Sequence, residues 1–220
     1  MKSLIIIPAF NESKNIPPLI DKIKELNIDY LVINDCSTDD SVNIFRKLGI
    51  NYIDLPINMG LSSVTQAGFR YAYDNNYDSA IVIDGDGQHP PIYIKSLLDT
   101  IDKGYDYVVG SRYVNEKKPY TMRMIGSRII CFAIFIRTGK TVTDPTSGMR
   151  AVNRKIMQEF STNMNYVAEP DALVSLIRKN YKTCEISVKM ENREEGNSYF
   201  KNPLKSIKFM LEVIISILFL

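Results

Sequence analysis

The chain has 220 residues, of which 45% are hydrophobic and 24% are charged, and its formal net charge is +2. This length predicts one globular domain with an appendage, and it is sufficient to bury a substantial core. The nearly balanced charge excludes a protein that binds nucleic acid electrostatically, since such proteins carry a clearly basic domain.

The cysteines and the start of the chain indicate a protein of the cytoplasm. Cys36, Cys131 and Cys184 are far apart and odd in number, so they predict neither a zinc site nor a disulfide framework. The first residues lead directly into a strand-like run that ends at Pro8, without the small-residue cleavage site of a signal peptide. We therefore expect a protein that is not exported.

Short apolar runs rich in β-branched residues alternate with amphipathic segments over the first half of the chain. The predicted strands, in chain order, are SLIIIP, YLVIND, NYIDL, SAIVIDGDG and YDYVVGSR. The predicted helices lie at residues 14–26, 61–73 and 92–101, and a further helix follows a cap at Ser37 or Asp39. This alternation predicts right-handed βαβ units, and therefore an α/β fold with a mostly parallel sheet flanked by helices.

Ligands of such folds bind at the carboxyl ends of the strands. Residues 9–12, 35–39, 84–88 and 110–112 each follow a predicted strand. We therefore expect these segments to converge on one rim of the sheet and to carry the chemistry of the chain.

The segment IVIDGDGQHP places two carboxylates, Asp84 and Asp86, where the fourth predicted strand ends. Mg²⁺ and Mn²⁺ prefer oxygen ligands, and two carboxylates completed by substrate phosphates form a typical site. Gln88 adds a neutral oxygen donor two residues later. A plain turn is the alternative, because Asp and Gly are common turn residues. For His89, the single histidine, a hydrogen-bonded turn role before Pro90 is favoured over ligation.

Six segments occur in an order shared with a known family, namely IIIPAFNE, VINDCSTDDS, NMGLSSVTQAGFRYA, IDGDGQHPP, VVGSRY and DPTSGMRAV. Over residues 2–199 the chain resembles the family 2 glycosyltransferases, which have the GT-A (Rossmann-like) fold. Within that family it is most similar to dolichyl- and polyprenyl-phosphate sugar transferases. The resemblance implies an inverting transfer of a hexose from a nucleotide-sugar, with Mg²⁺ or Mn²⁺ as cofactor.

The resemblance also implies roles for individual residues. The positions expected to bind the nucleotide-sugar are Pro8, Ala9, Asn11, Glu12, Asp35, Asp39 and Asp84, with Asp35 on the base. The positions that match the metal-binding triplet are Asp84, Asp86 and Gln88, of which Asp86 is also expected to be catalytic. The positions expected to contact phosphates or the acceptor are Arg112, Ser127, Arg128 and Arg193.

Several of these residue types also suit simpler roles. Asn11 and Glu12 are favourable residues for the start of a helix. Asp35 could be an ordinary loop acid, and Arg112 could be part of an exposed ion pair that contributes little. Arg193 lies in a cluster of charged residues that is equally typical of solvated surface.

The nature of the acceptor depends on Glu169 and Asp171, which open a predicted helix. A sugar hydroxyl needs a general base to accept its proton, whereas a polyprenyl phosphate is already ionised. Either acid is a candidate catalytic base for a hydroxyl acceptor, although acids in a first helical turn also suit the helix dipole. The sequence EPD at residues 169–171 departs from the pattern of the polyprenyl-phosphate branch. A lipid phosphate and a sugar hydroxyl therefore both stay open as acceptors at this point.

The C-terminal segment NPLKSIKFMLEVIISILFL begins with lysines and ends almost purely apolar. A helix over residues 209–220 would be about 18 Å long at about 1.5 Å per residue, too short for a hydrocarbon core of about 30 Å. We therefore expect residues 201–220 to form a membrane-interface helix, or one that binds a small membrane protein, beside a transferase domain over residues 1–200. Packing on the core or on a partner chain is the alternative.

The sequence thus predicts a transferase that moves a hexose from a UDP- or GDP-sugar to a polyprenyl phosphate, peripheral on the cytoplasmic face of the cell membrane. One alternative is a family 2 transferase that extends a cell-surface polysaccharide at a sugar hydroxyl. Another is a non-catalytic module that binds a nucleotide-sugar for a membrane partner. The intact acidic triplet favours turnover over binding alone.

Overall fold

The computed structural model describes residues 1–162, 169–191 and 203–219 of the chain. The strands in these residues are β1 (Ser3–Ala9), β2 (Asp29–Asn34), β3 (Tyr52–Asp54), β4 (Ser79–Val82), β5 (Tyr107–Ser111), β6 (Arg150–Asn153) and β7 (Thr183–Ser187). They form one sheet in the order β3-β2-β1-β4-β6-β5-β7. Neighbouring strands are parallel except at β6, which is antiparallel to both β4 and β5. The predicted α/β class with a mostly parallel sheet is confirmed.

Helices cover both faces of the sheet. They are α1 (Ile16–Lys24), α2 (Ser41–Lys47), α3 (Leu61–Asp74), α4 (Ile94–Asp102), α5 (Met122–Thr138), α6 (Arg154–Thr162), α7 (Glu169–Arg178) and α8 (Pro203–Phe219). One turn of 3-10 helix, Pro91–Tyr93, precedes α4. The predicted helix at residues 14–26 is shorter in the structure, and its apolar stripe is buried as expected, with Ile16, Leu19, Ile20 and Ile23 in the core.

Alternate residues of the central strands enter two cores, one on each face of the sheet. In β1, Ile6 packs in the core that contains Ile33 and Val82, whereas Ile5 and Ile7 pack in the opposite core. This explains why the predicted strands read as continuous apolar runs, since a strand covered on both faces buries every side chain.

Two strands of the sheet were not predicted. Arg150–Asn153 forms β6 inside the DPTSGMRAV segment, and Thr183–Ser187 forms β7 at the sheet edge. Neither shows a long apolar run, because β6 has four residues and β7 is only partly buried. Pattern alone therefore gave too weak a signal for either strand.

The C-terminal helix packs on the core with one face and exposes the other. Val213 and Ile217 of α8 are fully buried, and Ser216 donates a hydrogen bond to Asp171 of α7 (2.9 Å). Gly126 allows α8 to approach α5 closely, because a Cβ at that position would lie 2.8 Å from Met210 Sδ. No helix among the described residues is long and apolar enough to cross a membrane. The predicted boundary between residues 200 and 201 lies outside the described residues and stays a prediction.

Candidate active site

The segments that follow β1, β2 and β4 meet at one edge of the sheet. Asp35 donates its backbone N–H to the carbonyl of Ala9 (2.8 Å), just beyond the paired parts of β1 and β2. Gly85 lies so close to β1 that a Cβ there would be 2.9 Å from the carbonyl oxygen of Pro8. The acidic loop after β4 and the loop after β1 therefore lie side by side.

The acidic loop, residues 84–90, is held by hydrogen bonds from its own backbone to its own side chains. Gln88 donates its N–H to Asp86 Oδ1 (3.0 Å), and Asp84 donates its N–H to His89 Nδ1 (2.8 Å). Gly87 has a φ of 79°, which glycine adopts without steric cost. The Asp84 side chain is 32% exposed, while Asp86 is 9% exposed. One carboxylate of the pair is therefore accessible from solvent.

The donors of the acidic loop suit a hard divalent cation that also binds phosphate oxygens. Asp84, Asp86 and Gln88 offer oxygen atoms, the ligands that Mg²⁺ and Mn²⁺ prefer. No group of three His, Cys, Asp or Glu side chains arranged for a metal is found in the part of the chain that the structure describes. A complete coordination shell therefore needs further ligands, and a diphosphate has the right chemistry to supply them.

Asp35 is buried after β2 and is oriented by the start of α3. Its two carboxylate oxygens accept the N–H groups of Met59 (2.7 Å) and Gly60 (2.9 Å). Asn58 donates its side-chain amide to the Asp35 carbonyl (3.1 Å). Asp35 is thus more than an ordinary loop acid, since main-chain donors fix its carboxylate; contact with a base stays a prediction.

Asn11, predicted to contact the nucleotide, joins the loops after β1 and β2. Its side-chain oxygen accepts the N–H groups of Thr38 (2.8 Å) and Asp39 (3.3 Å), and its own N–H donates to Ser37 Oγ (2.9 Å). Its φ of 57° lies in the left-handed region that asparagine tolerates better than most residues. Asn11 therefore shapes the rim through its side-chain oxygen.

The other residues predicted to bind the nucleotide-sugar differ in how far their side chains are exposed. Pro8 and Ala9 are buried, so any contact they make with a ligand would come from the backbone. Glu12 is buried beside Asn15, whose side-chain amide donates to Glu12 Oε2 (2.5 Å). Asp39 is exposed on the rim. The structure brings these residues to one edge, and their roles stay predictions.

Arg112, after β5, is paired with a buried acid that sequence reasoning did not select. Its Nε and Nη2 donate to the two carboxylate oxygens of Asp144 (2.7 and 2.8 Å), and its backbone N–H donates to Oδ2 (3.1 Å). The hydrogen bonds to Asp144 raise the pKa of Arg112, and the negative charge of Asp84 adds to the rise. Arg112 is therefore a fixed cation near the acidic loop, and not a residue of a loose surface pair.

Ser127 and Arg128 of α5 hold the loop before that helix. Arg128 donates to the carbonyls of Lys118 (2.7 Å) and Pro119 (3.2 Å), and Lys118 Nζ donates to Ser127 Oγ (2.8 Å). A cleft of about 390 Å³ lies here. Its lining residues are Tyr113, Glu116, Lys117, Lys118, Tyr120, Arg128, Cys131, Val142 and Thr143.

The two candidate bases open α7, as predicted, but Asp171 is fully buried. Its Oδ1 accepts the N–H of Ala172 (2.7 Å) and its Oδ2 accepts the Ser216 hydroxyl (2.9 Å). The side chain of Glu169 and all of Arg193 lie outside the described residues. Both carboxylate oxygens of Asp171 are therefore bound by groups of the protein itself.

The structure adds three residues that sequence reasoning missed. Gly148 lies against the Asp84 carboxylate, where a Cβ would be 2.8 Å from Oδ2. Asp144 and Gly148 both belong to the DPTSGMRAV segment, so their position in a shared motif was the available signal. Glu185 of β7 accepts the N–H groups of Thr143 (2.7 Å) and Asp144 (2.8 Å). Nothing in its local sequence indicates that role, because it depends on the pairing of an edge strand.

Comparisons with known proteins agree with this architecture. The sequence profile of "Glycosyl transferase family 2" matches residues 4–160. The polyprenol monophosphomannose synthase of Mycolicibacterium smegmatis is 25% identical over 213 residues, covering 90% of this chain and 80% of the relative. The undecaprenyl-phosphate 4-deoxy-4-formamido-L-arabinose transferase of Photorhabdus laumondii is 30% identical over 227 residues, covering 97% of this chain and 67% of the relative.

A solved structure shares the fold. The glucosyl-3-phosphoglycerate synthase of Mycobacterium tuberculosis, in complex with Mn²⁺, UDP and glucosyl-3-phosphoglycerate, superposes with a TM-score of 0.74 at 18% identity. The match covers 99% of this chain and 78% of that chain. The fold is therefore of the GT-A type, as predicted. Because the family profile spans most of the chain and a relative of 30% identity matches it nearly throughout, the protein belongs to glycosyl transferase family 2.

Proposed function

We propose that this glycosyltransferase moves a hexose from a UDP- or GDP-sugar to a polyprenyl phosphate, with inversion and with Mg²⁺ or Mn²⁺, at the cytoplasmic face of the cell membrane. Two relatives support the acceptor, since they are a polyprenol monophosphomannose synthase and an undecaprenyl-phosphate transferase. The Mn²⁺ and UDP held by the M. tuberculosis synthase support a divalent cation and a nucleotide donor.

The observation that carries the choice of a lipid phosphate is the basic cleft beside α5. Lys117, Lys118 and Arg128 line this cleft against one acid, Glu116. Cations attract a phosphate, and two aromatic rings, Tyr113 and Tyr120, add apolar surface to the same lining. A phosphate with an apolar chain fits such a mixed lining better than a sugar hydroxyl does, because a hydroxyl carries no charge for the cations to neutralise.

Next to the cleft, α5 and α8 expose a set of apolar side chains that we call the α5–α8 face. Its members are Met122, Ile125, Ile129, Phe132, Phe135, Ile136, Leu211, Ile215 and Leu218. Between Lys117 and Thr143 the chain has six Lys or Arg residues and no Asp or Glu. On α8, Glu212 is the one acid among the described residues of this face. An apolar surface whose α5 part is basic and free of acids suits the interface of an anionic membrane, where basic residues are attracted to the lipid headgroups.

A divalent cation on Asp84 and Asp86 would neutralise charge that develops on the leaving diphosphate. The protein's own part is to hold those carboxylates in place and to keep Arg112 nearby as a fixed cation. The acceptor phosphate is ionised at neutral pH, so its oxygen needs no general base. The complete burial of Asp171, one of the two candidate bases, supports this choice, since a hydroxyl acceptor requires an accessible base.

The proposal is tested by following labelled sugar from UDP- and GDP-sugars into an organic phase with undecaprenyl phosphate and Mn²⁺ or Mg²⁺. We expect one donor to label the lipid, and we expect Asp86→Asn to reduce the rate by at least about 100-fold, as for loss of a main electrostatic stabiliser. Asp99→Asn, an exposed acid of α4, is the matched control and keeps the rate. Transfer to a soluble saccharide but never to the lipid would overturn the proposed acceptor.

A further inference from the structure

His89 is buried in the acidic loop without being available as a metal ligand. It is 4% exposed, and its Nδ1 accepts the N–H of Asp84 at 2.8 Å. A neutral imidazole has one nitrogen with a free lone pair and one that carries the proton. Since Nδ1 accepts, the proton lies on Nε2, and neither nitrogen has a lone pair left for a cation. This supports the turn role that the sequence favoured for His89.

The protonated Nε2 of His89 faces the carboxylate of Asp84, the same residue whose backbone N–H donates to Nδ1. Its distance to Asp84 Oδ2 is 3.6 Å, which is longer than a hydrogen bond but close enough for electrostatic attraction. One imidazole ring therefore holds the main chain of Asp84 with one nitrogen and faces its carboxylate with the other. These two contacts restrict rotation of the Asp84 carboxylate.

Gly148 lies against both the Asp84 carboxylate and the His89 ring. A Cβ at this position would lie 2.8 Å from Asp84 Oδ2, 3.0 Å from Asp84 Oδ1 and 2.9 Å from His89 Cε1. Contacts below 3.0 Å are not tolerated, so any larger residue at position 148 must displace the carboxylate or the ring. The φ of Gly148 is not in the left-handed region, so the glycine is required here by space and not by backbone conformation.

We infer that His89 and Gly148 are positioning residues that together hold the Asp84 carboxylate in the orientation that binds the divalent cation. The inference rests on the proposed function, because it assigns a purpose to the orientation of a proposed metal ligand. Groups that orient metal ligands without touching the metal typically change metal affinity by about 10- to 100-fold when they are lost.

The test measures Mn²⁺ binding by electron paramagnetic resonance of the free ion, with UDP or GDP present, alongside the melting temperature of each variant. We expect H89A and G148A to weaken Mn²⁺ binding by about 10- to 100-fold. H89N places an amide oxygen where Nδ1 accepts, so it restores the bond to the Asp84 N–H and binds Mn²⁺ more tightly than H89A. A role in folding alone would lower the melting temperature without changing Mn²⁺ affinity.

G126A is the matched control for the steric change. Its new Cβ would lie 2.8 Å from Met210 Sδ between α5 and α8, an equally close contact outside the acidic loop. It should leave Mn²⁺ affinity unchanged. If H89A does not fold, G148A and H89N still decide the matter. Wild-type affinity in both H89A and G148A would overturn the inference alone, whereas absence of Mn²⁺ binding by the wild-type protein would overturn the proposed function as well.

Discussion

Main-chain amides orient two carboxylates, one after β2 and one within β7. Asp35 accepts two backbone N–H groups from the start of α3, and Glu185 accepts two from the segment after α5. Acceptor groups held in this way do not need to reorganise when a charged ligand arrives. The carboxylate of Asp35 is therefore oriented by the protein alone.

Asp39 shows how such bonding affects stability. Burial raises the pKa of Asp39, but hydrogen bonds from Ser41 and Ser13 lower it by more, so the pKa lies below its ordinary value. The ionised form therefore stabilises the folded state above about pH 4, and this contribution is lost as the pH falls through the lowered pKa. Asp39 also accepts the N–H of Ser41, the first residue of α2 (3.0 Å).

The N-cap of α2 is Asp40 and not the predicted Ser37 or Asp39. We expect Asp39→Ala to destabilise the protein by about 1 kcal/mol at pH 7, as for loss of an intramolecular hydrogen bond, which lowers the melting temperature by ~2–4 °C for a chain of this size. The difference from wild type should shrink in acid, when Asp39 is protonated. Calorimetry from pH 7 to pH 3 measures this. If the difference in stability between the variant and wild type stays constant across that range, the charge of Asp39 does not contribute to stability.

At the scale of secondary-structure elements, an ion pair connects β5, β7 and the segment between α5 and β6. Arg112 follows β5, Asp144 lies in the connecting segment with no exposed surface, and Glu185 of β7 binds the backbone of that segment. Breaking a buried pair leaves a charge without compensation, which is more costly than an exposed pair would suggest.

We expect Asp144→Ala to lower the free energy of unfolding by about 3–5 kcal/mol, because the Arg112 guanidinium loses its buried partner. Glu185→Gln should cost about 1–3 kcal/mol, since an amide offers one oxygen to two backbone donors. Urea unfolding measures both changes. Glu25→Gln, an exposed acid after α1, serves as control and should stay within about 0.5 kcal/mol of wild type. Equal stability of all four proteins would mean that the pair does not hold these elements.

The elements that the sequence predicts well are those whose pattern is local. The apolar run of β1 and the helical stripe of α1 each indicate their structure within about ten residues. The acidic loop is equally local, because Asp84 and Asp86 follow a strand directly. In contrast, the antiparallel direction of β6 and the link from Glu185 to Asp144 depend on strand pairing between distant segments. Such pairings leave no periodic signal.

At the scale of the whole molecule, helix α5 contributes residues both to the α5–α8 face and to the lining of the basic cleft. This arrangement would bring the headgroup of a membrane lipid to the cleft while the apolar face rests in the interface. The C-terminal helix α8 packs on the core through the buried side chains of Val213 and Ile217. On its other face, Leu211 and Ile215 are exposed.

We expect the double variant Phe132→Ser, Ile136→Ser to reduce binding to phosphatidylglycerol-containing vesicles, because both side chains are more than half exposed on α5. Burying an apolar side chain contributes about 1.5–3 kcal/mol, so a loss of at least about tenfold is expected. Co-sedimentation with vesicles measures this loss of binding. Binding by the wild-type protein should also weaken when salt is added, and when the vesicles consist of neutral phosphatidylcholine alone.

Leu48→Ser, which removes an exposed apolar residue after α2, is the matched control and should bind vesicles as wild type does. Vesicle binding that ignores the α5 changes would contradict the assignment of this face. A wild-type protein that dimerises in solution and loses dimers in the α5 variant would instead identify the face as a contact between two copies.

The most direct test of the proposed site is the thermal stability of the protein with UDP or GDP, with and without Mn²⁺. A ligand that binds the native state at 100 times its dissociation constant stabilises it by about 2.7 kcal/mol. We predict that one of the two nucleotides raises the melting temperature clearly only when Mn²⁺ is present, and that Asp86→Asn abolishes the rise. An equal rise without the cation, or an undiminished rise in Asp86→Asn, would contradict a site built on the Asp84 and Asp86 carboxylates.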